Sequence, residues 1–163
     1  MRRMRKIFGG VILVVAGVAL ALIPQQVSSR PTETWKQDAN AESVPAYHTS
    51  LPKGPLPVTL SPSLFSDPVV QNAYQLAARI KKVLYQQPCY CHCDRTEGHG
   101  SLLDCYAGHH AAECGTCLRE GLYAYEQTRK GKTPAQIRAG IERGDWEKVD
   151  VKKYESPVAV PAQ

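Results

Sequence analysis

A chain of 163 residues with 43% hydrophobic content and a formal net charge of +5 is long enough for one folded domain. Four of those charges sit on Arg2, Arg3, Arg5 and Lys6, so the remainder is close to neutral and offers no basic face to a nucleic acid. Eight Tyr against two Phe and two Trp also exclude the aromatic and basic interleaving that stacks single strands.

Met1 to Lys6 is a basic start, and Ile7 to Ile23 is an apolar run of about 17 residues that ends at Pro24. This pattern predicts either a cleaved export signal over 1–29, with Val27 and Ser29 before the cut at Arg30, or a membrane anchor over 7–23. Both place the rest of the chain outside the cytoplasm, in the periplasm or at the cell surface, secreted or anchored, because the positive end stays inside. No cysteine follows the run, which excludes a lipid on cysteine.

From 30 to 61 the chain turns to Pro, Ser, Thr and charge, with Pro31, Pro45, Pro52, Pro55 and Pro57 and no helical period. It reads as a disordered linker in which His48 is solvated, with the PLPVTLSP segment able at most to lie along an edge. The folded domain is expected over 62–148, roughly 90 residues, a size at which a core usually needs a staple or a metal.

Asp67 before Pro68 predicts a helix start, and Val69, Val70, Ala73, Ala77, Ile80 and Leu84 recur at helical spacing up to the stop at Pro88. A second helix is predicted from Ala111 to Arg129 and ends at Gly131; Leu118, Leu122 and Tyr125 form its apolar side, with Glu113, Arg119 and Glu120 solvated. Thr133 with Pro134 starts a third helix that reaches Gly144, with Ile137 and Ile141 inward and Trp146 closing the core. The tail over 149–163 reads as disordered. The predicted fold is therefore mostly α, a small three-helix domain around a cysteine-rich loop.

That loop, from Pro88 to Cys117, contains all six cysteines of the chain and four of its five histidines. In an extended segment Cys89, Cys91 and Cys93 would line one face, with Tyr90 and His92 on the other. Cys114 and Cys117, three apart, would share a helix face opposite that strip, and Cys105 completes a second group of three. Between the groups lie Asp94, Glu97, His99 and Asp104, which suit turns better than acid–base chemistry. His109 and His110 are adjacent, so one at most can face the site; each is placed at a helix start or the surface.

The motif Pro88-Cys89-Tyr90-Cys91-His92-Cys93, followed by His99, Ser101-Leu102, Asp104-Cys105-Tyr106 and Cys114-Gly115-Thr116-Cys117, resembles that of the bacterial PCYCGC-motif proteins, a secreted or lipid-anchored family. Lys130 to Arg138 is similar to the family's tail pattern of a turn and short helix. This chain has His92 where the motif has glycine, which adds a candidate ligand and argues against a tight turn there. The family carries no assigned activity, so the resemblance implies no function.

Clustered thiolates with imidazoles in reach bind soft or borderline ions, chiefly Cu or Zn. Cys89, Cys91, Cys93, Cys105, Cys114 and Cys117, with His92 and His99, are the candidate metal ligands. The competing expectation is a disulfide-stapled binding or assembly module, since an even cysteine count outside the cytoplasm commonly means disulfides. A third makes Cys114-Gly115-Thr116-Cys117 a redox pair, against which no βαβ pattern precedes it. No nucleophile–base spacing or phosphate loop marks an enzyme. A metal ion is the expected partner, and no feature identifies a protein partner.

Overall fold

A computed structural model describes residues 44–158 of the protein; the leader over 1–29, the apolar run over 7–23 and the first part of the linker lie outside the described residues. Among those described there is no strand, and no helix is long and apolar enough to cross a membrane. The chain forms α1 (Pro68–Arg79), α2 (Lys81–Leu84), α3 (Cys93–Thr96), α4 (Leu102–Ala107), α5 (His110–Glu113), α6 (Gly115–Arg129) and α7 (Pro134–Glu142). Three of these, α1, α6 and α7, are the helices read from the sequence; α2 is the remainder of the first expected helix, and α3, α4 and α5 lie within the cysteine loop.

The helix ends follow local chemistry. Asp67 Oδ1 accepts from the backbone N–H of Val69 at 2.7 Å and Val70 at 3.3 Å, with Pro68 at the first position, where its missing N–H is harmless. Thr133 and Gln136 close a reciprocal capping box on α7. Two expected helices are broken, however. Ile80 interrupts the first (φ −115°, ψ 27°) and keeps its side chain in the core, after which α2 resumes. Cys114 interrupts the second with an extended backbone (φ −119°, ψ 108°) and becomes the cap of α6 rather than a member of a continuous helix.

The core lies where α1 packs against α6, with α4, α2 and α7 around them. Tyr74, Leu76, Leu84, Leu102, Leu103, Tyr106, Leu122, Ile137 and Ile141 are fully buried. Tyr106 crosses the centre: its ring meets Tyr74 edge-on at 5.0 Å, and its hydroxyl donates to the carbonyls of Cys117 (3.1 Å) and Leu118 (3.3 Å). The hydroxyl fits because α6 has Gly121 there, where any Cβ would overlap it.

Two segments expected to be disordered are packed. In the linker, Pro45 is fully buried, His48 stacks on Tyr85 at 4.0 Å instead of being solvated, and Leu60 N–H donates to Tyr106 O at 2.9 Å. Proline excludes helix and ladder hydrogen bonds but not an extended chain laid on an apolar surface. In the tail, Asn72 Nδ2 donates to the carbonyls of Tyr154 (2.6 Å) and Ser156 (3.0 Å), while buried Tyr154 donates its hydroxyl to Glu126 (3.0 Å). Composition marked both segments as polar; the few apolar anchors within them decided otherwise. Trp146 is half-buried against the core, as expected.

Replacing Gly121 with alanine should lower stability by about 1–3 kcal/mol through overpacking against Tyr106. Gly108→Ala, where a Cβ meets nothing within 4 Å, should change it little; urea denaturation of the reduced, chelated protein measures both.

A candidate metal centre of clustered thiols

The Pro88–Cys93 segment is a turn, not the extended strip expected. His92 N–H donates to Cys89 O at 3.1 Å, and His92 itself adopts the left-handed conformation (φ 58°, ψ 32°) before α3 begins at Cys93. Left-handed backbone costs a non-glycine residue about 1–2 kcal/mol, and this is the position where the motif has glycine. The tight turn survives the substitution, contrary to the expectation. It also delivers what the strip was meant to deliver, since it curls three sulfurs toward one point.

Cys89 Sγ lies 3.4 Å from Cys91 Sγ and 3.1 Å from Cys117 Sγ, Cys91 lies 3.3 Å from Cys117, and Cys93 lies 3.3 Å from Cys105. None of these is a disulfide, which has sulfurs about 2.05 Å apart. Two quartets emerge, each with its ligand atoms within 4.8 Å of one another: Cys89, Cys93, Cys105 and Cys117, all buried, and Cys91, Cys93, Cys117 and His110, of which Cys91 and His110 are half-buried. A tetrahedron with metal–sulfur bonds of about 2.3 Å has edges of about 3.8 Å, so either quartet can close around an ion with small shifts.

Of the eight residues expected at the site, Cys89, Cys91, Cys93, Cys105 and Cys117 converge. His99 flanks them, its Nδ1 3.4 Å from Cys105 Sγ, without joining a quartet. Cys114 is in neither quartet, because the shared-face expectation needed a helix through it and the helix breaks there. That removes it from the predicted second group of three. His92 is outside both quartets as well, its ring against Tyr90 and its buried Nδ1 without a partner.

Two residues of the site were placed elsewhere by the sequence reading. His110 Nε2 lies 3.5 Å from Cys91 Sγ; no helical spacing could have shown this, because the backbone breaks at Cys114 between His110 and Cys117. Glu120, assigned to the solvated side, is fully buried, accepting the Tyr90 N–H on Oε1 at 2.9 Å with Oε2 unpartnered. It stands three residues after Cys117, so a helix that turns the cysteine inward must turn the glutamate inward too. Asp104 does act as a turn residue, its Oδ2 accepting from Gly100 N–H at 2.8 Å, whereas Asp94, in α3, ties down the linker by accepting the Ala46 N–H at 3.1 Å.

The sulfurs share protons. Hydrogen bonds, from Cys89 first, hold the Cys91 thiol down to about 4, and those from Cys117 and Cys89 hold Cys105 at about 2. Cys89 and Cys117 are pushed up, in each case chiefly by the hydrogen bond to Cys105, and burial with the charge of Cys105 raises Cys93 despite its bond to Cys89. Burial works to lower His110, but its bond to Cys91 and the charges of Cys105 and Cys91 outweigh that and raise it. Shared protons thus bias Cys91 and Cys105 toward thiolate, the metal-binding form.

A helical domain folded around a buried thiol cluster able to hold a metal ion is the class of protein that fold and site define. Residues 18–161 match the family described as "Protein of unknown function with PCYCGC motif", and the chain belongs to that family. No curated protein and no solved structure matches it.

Burial raises the Glu120 carboxyl from 4.5 to about 8. The folded protein keeps that proton where the unfolded chain loses it, so this contribution is full below pH 4.5 and is lost as pH rises to about 8. The lowered Cys91 and Cys105 thiols work the other way and add stability as pH rises through the same window, so Glu120→Gln should make the stability of the reduced, metal-free protein climb more steeply between pH 4.5 and about 8, as read by urea denaturation; an unaltered slope would remove Glu120 as a contributor. His92→Gly should raise stability by about 0.5–1 kcal/mol, the left-handed strain relieved less the entropy of an added glycine, as read by thermal unfolding.

Proposed function

We propose that this protein is a thiolate metal-binding module on the outer side of the membrane, secreted or anchored through residues 7–23, which takes Cu or Zn and catalyses no reaction. The observation that carries the reading is the buried quartet of Cys89, Cys93, Cys105 and Cys117, whose sulfurs lie within 4.8 Å of one another. Sulfurs that close cannot all be ionised in a dry interior unless a cation compensates them. Half-exposed Cys91 and His110 give an ion a route to solvent, which suits metal handling better than a closed structural site. The basic start and apolar run support export.

The second reading, a disulfide-stapled module without metal, draws support from the pairs Cys89–Cys117 at 3.1 Å and Cys93–Cys105 at 3.3 Å, which could close on oxidation. It leaves Cys91 and Cys114 over. Mass spectrometry of the protein isolated without reductant or chelator separates the two. A native mass carrying Cu or Zn, with every thiol alkylated after metal removal, is the expected outcome; a metal-free mass with unreactive cysteines would overturn it. Cys93→Ser should reduce metal retention at least tenfold, whereas Cys114→Ser should leave it as in the unaltered chain.

A further inference from the structure

The two quartets share an edge: Cys93 and Cys117 belong to both. One side of that edge is completed by Cys89 and Cys105, both buried; the other by Cys91 and His110, half-buried. A thiolate sulfur has lone pairs enough to bridge two ions, so two tetrahedra can be joined through Cys93 and Cys117 once the sulfurs of Cys89 and Cys91, 3.4 Å apart without metal, part onto different ions.

From this shared edge we propose that the site holds two divalent ions of the zinc class, one in a set of four cysteines and one in a set of three cysteines and a histidine, bridged by Cys93 and Cys117. The proposal rests on the thiolate reading above and deepens it. Both donor sets are ones that tetrahedral zinc takes. Charge supports the count: one divalent ion on Cys89, Cys93, Cys105 and Cys117 leaves a net −2 with Cys91 protonated, whereas two ions on all five thiolates leave −1, which is less costly to bury. The same charge argument favours divalent ions over Cu(I), two of which would leave −3. Cys91 and His110 then have a defined role as the terminal ligands of the outer ion, and Cys89 and Cys105 as those of the inner one. The outer ion, bound by the half-exposed ligands, is the exchangeable one.

The test loads the reduced full chain with Zn(II) alone and counts ions by native mass spectrometry, then exposes the loaded protein to iodoacetamide before unfolding. Two ions per chain are expected, with alkylation at Cys114 only and a metal–metal shell in zinc X-ray absorption. His110→Ala should bring the count to one. A chain that saturates at one ion and is alkylated at Cys91 as well as Cys114 would overturn the paired site while leaving the thiolate reading intact. A chain that binds no metal and has its cysteines in disulfides would sink both.

Discussion

Five sulfurs crowded into a space where neighbours lie 3.1–3.4 Å apart can persist only while protons or cations separate their charges. The fold around them is the machinery of that crowding. A six-residue turn supplies three of the sulfurs, α4 a fourth and α6 a fifth. Tyr106, next to Cys105, ties α4 to the first turn of α6 through the carbonyls of Cys117 and Leu118. Glu120, one turn beyond Cys117, holds the cysteine turn by the Tyr90 N–H. Four of the cysteines, Cys89, Cys93, Cys105 and Cys117, are themselves part of the buried core, so the cluster and the apolar packing form one body.

Much of the scaffold was legible in the sequence because its signals are local. Asp67-Pro68, Thr133-Pro134 and Gly131 mark helix ends through contacts within four residues, and the structure has them as read. The cysteines announced a site by composition alone. What periodicity missed was decided by single backbone breaks: one extended residue at Cys114 removed that sulfur from the site, and one left-handed residue at His92 replaced a strand with a turn. Neither residue type requires its conformation. The packed linker and tail were missed for a different reason, since Pro45 and Tyr154 find their places only through residues far away in sequence.

Glu120 shows how a rule can be right and still be misapplied. The helical wheel that brings Cys117 inward brings Glu120 inward as well, yet a carboxylate is by habit assigned to solvent. Its burial is tolerable because one oxygen has a backbone donor and because burial favours the protonated form. In the same region His92 accepts a conformation suited to glycine, so the local geometry is imposed by what surrounds the turn and not by the turn's own residues.

The order of the ligands along the chain has a kinetic consequence. The sulfurs of Cys89 and Cys117 are 28 residues apart and those of Cys93 and Cys105 only 12, whereas Asn72 must wait for a carbonyl 82 residues away. Loop closure costs more entropy as the loop lengthens. A short hairpin of cysteines can thus gather early, while most of the helical surface is still unpaired, and the long loop to the tail closes over a nucleus already made. In a chain built this way the cysteine loop is a starting point for folding as well as a site.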